Sequence, residues 1–169
     1  YDSENKYELC IDEAGRGCLF GRVYIACVIL PKESDSFDGT NIKDSKKFTS
    51  KKKLQNVAEY IKENALAYHI EYMEPDMIDK INILKCVMEG MHNCIKNITK
   101  KLNIQIKDCT AVVDGNYFTP YMTFDETKQA MVPMRSVTVE QGDGKYMGIA
   151  AASILAKTAR DANIHELCD

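Results

Sequence analysis

The order in which extended and helical segments succeed one another leaves few folds open to this chain. Tyr7 to Ile11 alternates apolar and polar residues, the pattern of a half-buried strand. It runs straight into Asp12 and Glu13 before the Gly15-Arg16-Gly17 turn breaks it. Arg22 to Leu30 is rich in β-branched and apolar residues and stops at Pro31, so it reads as a second strand pairing with the first as a hairpin neighbour. Residues 32–48 form a polar loop with Asp38-Gly39 as a turn signal. Thr49 or Ser50 can cap a helix reaching to about Asn64, whose Leu54, Val57, Ala58 and Ile61 recur on one face. A third strand covers about Ala67 to Met73. From Asp76 to Lys101 the spacing of Ile83, Val87, Met91, Cys94, Ile95 and Ile98 predicts helix in two pieces. Thr110 to Asp114 is a short buried strand ending on an acid, and Arg135 to Val139 is another strand. Gly142 to Gly144 reads as a flexible link into a last, alanine-rich helix from about Lys145 to Leu167. Two or three strands, then helices alternating with single strands, predict an α/β fold with a mixed sheet flanked by helices.

A length of 169 residues suits one domain, 1–169, able to bury a core without disulfides or a structural metal. With 45% hydrophobic and 28% charged residues, the composition is that of a globular chain and excludes a disordered one. The longest apolar runs, Tyr24 to Leu30 and Gly148 to Ala156, fall short of the roughly 20 residues that span a bilayer. Tyr1 to Glu8 has no apolar core for a secretory signal, so the expected setting is cytoplasmic, without a membrane partner. Seven scattered cysteines without a CxxC pair suggest neither a disulfide framework nor zinc, and read as small core residues in a reducing compartment.

A net charge of −3 does not advertise a nucleic-acid binder, but charge distribution matters more than its sum. Between Lys43 and Lys53 six lysines face a single acid, Asp44. Such a patch can hold phosphates, and it can equally be a solvated helix start.

Asp12 and Glu13 at one strand end, Asp114 at another and Asp161 on the last helix would form a divalent-metal site if folding gathers them; otherwise they are dispersed surface acids. Hydrolysis of a phosphodiester through two Mg²⁺ ions requires several hard oxygen ligands in a compact pocket, which carboxylates supply. Two carboxylates about 4 Å apart repel by roughly 4 kcal/mol at an effective dielectric of 20, so such a group persists with a cation between its members. Ser153, Lys157 and Asp161 follow one another at four-residue spacing on one helix face. They form either a site wall or an intrahelical Lys157–Asp161 pair. Gly15-Arg16-Gly17 lets main-chain amides approach a sugar and phosphate closely, or is simply a tight turn. His69, His92 and His165 match no ligand spacing and are expected at surface or helix positions.

Taken in order, several motifs resemble ribonuclease HII, from about Tyr7 to the end of the sequence. They are Asp12-Glu13-Ala14-Gly15-Arg16-Gly17, Asp44-Ser45-Lys46-Lys47, Val113-Asp114-Gly115-Asn116, Gly142-Asp143, Ile149 to Lys157 and Arg160-Asp161. The resemblance implies the ribonuclease H-like fold, with a mixed five-stranded sheet between helices. It implies an endonuclease for the RNA strand of RNA–DNA hybrids and for ribonucleotides embedded in duplex DNA, using Mg²⁺ or Mn²⁺ and acting as a monomer. By the same resemblance Asp12, Glu13, Asp114 and Asp161 match the metal-binding carboxylates. Gly15, Arg16 and Gly17 match the loop that reads the 2′-hydroxyl, and Lys46 matches a backbone contact; Ser153 and Lys157 belong to the same motif set. The family usually has proline where this chain has Cys18 and Arg22. Its members also continue beyond the position of Asp169 into a segment whose tyrosine packs on the substrate sugar. No tyrosine here takes that role, so a duplex-binding module with little turnover is the alternative expectation. Only 11 residues precede Asp12, the first of the four carboxylates, which argues for type 2 over type 3 enzymes.

Overall fold

A computed structural model describes residues 1–17, 21–32 and 37–168. Cys18 lies outside the described residues, as does the side chain of Cys168. Strands β1 (Tyr7–Ala14) and β2 (Val23–Ile29) form an antiparallel pair, with Cys10 opposite Val28 and Asp12 opposite Ala26. Helix α1 (Lys51–Asn64) begins at Ser50, whose hydroxyl accepts from the Lys53 amide, and it leads into β3 (Ala67–Met73), antiparallel to β2. Helices α2 (Pro75–Ile81) and α3 (Ile83–Leu102) are separated at Asn82. There φ of 69° interrupts the helix, while the side chain accepts from the Lys85 amide and starts the next one. Strand β4 (Cys109–Asp114) adds parallel to β1. A hairpin of β5 (Met122–Asp125) and β6 (Ala130–Pro133) stands apart from the main sheet. Strand β7 (Arg135–Val139) completes the main sheet, parallel to β4, and α4 (Met147–Cys168) closes the described fold. The sheet order is β3-β2-β1-β4-β7.

Every residue of β2 is buried, which explains its nearly unbroken apolar run. Successive side chains alternate between the two sheet faces. Val23, Ile25, Cys27 and Ile29 join α3 residues such as Val87, Met91, Ile95 and Ile98 in one core. Tyr24, Ala26 and Val28 join Leu54, Ala58 and Ile61 of α1 and the alanines of α4 in the other. Ala150, Ala151, Ala152 and Ala156 are at most 2% exposed, so the small residues of α4 form the face that lies on the sheet. This placement decides where the chemistry sits. Leu9 and Ile11 face α3, so by strand alternation Cys10 and Asp12 face α4, and Cys10 packs with Val112 and Ile149 on that side.

The expected elements are present, with the mixed five-stranded sheet between helices. The β5–β6 hairpin was not anticipated. Its Met122, Phe124 and Met131 are exposed, so no run of core-facing residues marks it. The glycine segment before α4 also differs from the flexible link expected. Gly142–Gly144 form a 3-10 turn with Gly142 and Asp143 buried, held by the amides of Lys145 and Tyr146 donating to the Gly142 carbonyl.

Candidate active site

The parallel pairing of β1 and β4 puts Ile11 opposite Val113, so the residues that follow each, Asp12 and Asp114, emerge together at the carboxyl end of adjacent strands. Neighbouring strands lie about 4.8 Å apart, which sets the scale of their separation. Asp12 is 5% exposed and accepts the amide of Glu13 at 2.7 Å. Burial pushes its carboxyl well above the usual range, and the charges of Asp114 and Glu13 push it further. The Glu13 amide and the Ser153 hydroxyl offset part of that. Glu13 is raised too, by burial first, with Arg16 pulling against it and Asp114 adding to it. Its Oε1 lies 3.5 Å from an Arg16 nitrogen.

Asp114 is raised by burial, opposed by the amide of Gly142, which donates to its Oδ1 at 2.6 Å, and raised again by the charge of Asp143. A side chain at position 142 would press on Ile149 and come within 3.1 Å of the Asp114 carboxylate, so glycine is what lets this turn reach the acid. The turn carries Asp143 to the cluster. Asp143 is 9% exposed and lies 3.5 Å from the Lys46 ammonium, whose pKa is raised chiefly by that charge. Ser153 of α4 roofs the group and shares a hydrogen bond of 3.2 Å with the buried Ser45 hydroxyl. The lysine-bearing loop is thereby tied to the acid end of the sheet.

Of the sequence-expected residues, Asp12, Glu13, Asp114, Ser153 and Lys46 come together. Asp161 does not. Eight residues beyond Ser153 it lies about 12 Å further along the helix axis. Its carboxylate pairs with Lys157 at 3.2 Å, and both line a groove with Lys51, Leu54 and His165. The intrahelical pair is therefore the reading that the structure gives for these two. Asp143 is the residue that sequence reasoning passed over. Its motif was visible, but a glycine-flanked acid read as part of a link carries no sign of burial. The histidines stand elsewhere: His69 is 3.1 Å from Glu71, His92 is 2.7 Å from the Thr119 carbonyl oxygen, and His165 lies in the groove by α1.

Gly15 holds φ of 102°, a left-handed conformation that favours glycine, and turns the chain from β1 into the loop of Arg16 and Gly17. Arg16 is half exposed, and nothing lies within 4 Å of where a Gly17 side chain would start, so the loop presents open backbone beside the acids.

As the side chains stand, no three ligating groups among the described residues close on one point, because each acid is turned to its own donor. The chemistry of the set nevertheless fits a divalent cation. All donors are hard carboxylate oxygens, several are buried, and burial, joined by their mutual repulsion, raises three of their pKa values.

Comparison with known proteins points one way. A family model described as Ribonuclease HII matches residues 9–169. The chain is 40% identical to the ribonuclease HII of Parabacteroides distasonis over 167 residues, 99% of this chain and 74% of that protein. Against the Alkaliphilus oremlandii ribonuclease HII it is 41% identical over 152 residues, 90% of this chain and 67% of that protein. Among solved structures, the ribonuclease HII of the PCNA complex from Archaeoglobus fulgidus superposes with a TM-score of 0.68 at 29% identity, covering 95% of this chain and 76% of that one. Bst-RNase HIII in complex with Mn²⁺ gives 0.75 at 14% identity, covering 96% and 54%, a likeness of fold.

Proposed function

Because this chain belongs to the ribonuclease HII family, and so is a ribonuclease H acting as an endonuclease on the RNA of RNA–DNA hybrids, we propose that it also cuts at single ribonucleotides embedded in duplex DNA. The proposed cut lies on the 5′ side of the ribonucleotide, by metal-assisted hydrolysis that leaves 5′-phosphate and 3′-hydroxyl ends. The observation that carries this reading is the meeting of Asp12, Glu13, Asp114 and Asp143 at one end of the sheet, beside the Gly15-Arg16-Gly17 loop. Asp143 takes the place that the sequence expectation gave to Asp161.

Those four carboxylates would hold Mg²⁺ or Mn²⁺. Two such ions, when bound, supply an activated water and stabilisation of charge on the phosphate and the departing 3′-oxygen. The chain's own residues do the rest. The amides of Glu13 and Gly142 hold Asp12 and Asp114 at the strand ends, and the carboxylates would turn from these donors toward the ions on binding. The amides of Gly15, Arg16 and Gly17 are available to a ribose 2′-hydroxyl, the group that separates RNA from DNA at each sugar. Lys46 reaches from the opposite wall with its side chain 80% exposed and offers a charge to the strand backbone once a cation relieves its pairing with Asp143. The free, buried thiols of Cys10, Cys27, Cys86, Cys94 and Cys109 support a reducing, cytoplasmic setting.

The test is a DNA duplex with one ribonucleotide in one strand, incubated with Mg²⁺, with Mn²⁺, or with EDTA. A single incision at the ribonucleotide that depends on the divalent ion is the expected result. Cleavage of continuous hybrid without incision of that duplex would remove the embedded-ribonucleotide claim, and incision in EDTA would remove the metal.

A further inference from the structure

Arg160 lies on α4 where the helix passes behind the Gly15-Arg16-Gly17 loop. A Cβ on Gly15 would stand 2.8 Å from Arg160 Nε and 3.0 Å from its Cδ, so the arginine stem occupies the space that glycine leaves. Nε is sealed from solvent and has no hydrogen-bond partner among the described residues. Asp161, its neighbour in sequence, pairs with Lys157, and Glu13, two residues before Gly15, pairs with Arg16. The other three arginines all have partners, Arg16 on Glu13, Arg22 on Glu74 and Arg135 on the Lys107 carbonyl. Arg160 alone among the four has neither an acid nor a carbonyl partner among the described residues. A permanently charged group with five donors, part-buried and unneutralised, is unfavourable unless an anion completes it.

We propose that Arg160 is a substrate-binding residue whose guanidinium takes a phosphodiester oxygen of the strand that the Gly15–Gly17 loop reads. A phosphate adjoins every sugar of that strand, and its oxygens match the guanidinium fork. Packing of the stem on Gly15 ties the position of that phosphate to the position of the loop, so sugar and phosphate are held as a unit. The inference rests on the reading of the loop given above.

The test compares wild type with Arg160→Met and Arg160→Gln, which keep most of the packing on Gly15 without charge, and with Arg160→Lys, which keeps the charge. Steady-state cleavage of the duplex with one ribonucleotide is measured in Mg²⁺ across a series of KCl concentrations, with thermal melts to identify the folded variants. The neutral variants should raise KM on the order of tenfold, leave kcat within about twofold, and flatten the dependence of log KM on log salt by about 0.9, the contribution of one phosphate contact. Arg160→Lys should keep the wild-type slope. A wild-type slope in whichever neutral variant folds, or a fall in kcat at unchanged KM, overturns the proposal. If wild type does not cut this duplex, the loop's proposed role fails on its own, and the salt slope of binding, read by fluorescence anisotropy, still decides Arg160.

Discussion

Replacing Asp114 by asparagine should abolish cleavage while making the metal-free protein more stable. Asp114 and Asp12 leave adjacent strands on the same face, and at about 5 Å two carboxylates repel by roughly 3 kcal/mol at an effective dielectric of 20. Asparagine keeps an Oδ1 to accept the Gly142 amide, so the hydrogen bond at 2.6 Å survives. Loss of attraction to Lys46 takes back part of the gain, leaving about 1–2 kcal/mol. For a chain of this size that raises Tm by about 3–6 °C. The effect depends on pH with a definite sign. Asp12, Glu13 and Asp114 all have raised folded pKa values, so their contribution to stability is fully present below the ordinary carboxylate range and is lost as pH rises through the raised values. Thermal melts in EDTA between pH 4 and 8 should therefore separate the two proteins most at the alkaline end and least at the acidic end. A variant that melts below wild type at pH 8, or a gap that widens on acidification, would refute the electrostatic account of the cluster.

Asp143→Asn should lower cleavage by at least about a hundredfold, as loss of a ligand at a metal-assisted site does, whereas Asp161→Asn should keep near wild-type kcat; parallel kinetics on one duplex separate the two acids. Gly15→Ala places a Cβ against Arg160 and the Arg22 carbonyl at φ of 102°, so it should destabilise by about 1–3 kcal/mol, read by urea denaturation. Ser50→Ala removes the α1 cap, a long hydrogen bond of 3.4 Å, and should lower stability by about 0.5–1 kcal/mol with unchanged kcat. The Cys10 thiol is pushed up to about 12 by burial, so this cysteine and the buried Cys27 and Cys94 should resist alkylation at pH 8 in the folded protein, as mass spectrometry of labelled peptides would report.

Much of the scaffold was legible because its signals are local. Ser50 before Lys51, the apolar spacing of Leu54, Ala58 and Ile61, and the β-branched run of β2 each report a backbone state without reference to distant residues. Strand ends carrying Asp12 and Asp114 were readable for the same reason. Their meeting was not, because it depends on β1 and β4 being parallel neighbours although about 100 residues separate them, and that pairing is enforced only when α3 and α4 cover the two faces. That Asp143 lies beside these acids while Asp161 pairs with Lys157 was not legible on a similar ground. Both acids stand near the last helix in the chain, and only the docking angle of α4 decides which end meets the sheet. The β5–β6 hairpin left no amphipathic trace because its exposed faces carry Met122, Phe124 and Met131. That Arg160 Nε is buried without a partner among the described residues was equally invisible, since sequence says nothing about which acids are already engaged.

Anomalous diffraction from crystals grown with Mn²⁺ would test the metal cradle most directly. The account predicts manganese peaks within coordination distance of Asp12 and Asp114, with Glu13 or Asp143 completing the protein ligands and Asp161 still on Lys157. Manganese seated on Asp161, or at a place that Asp12 and Asp114 do not touch, would contradict it.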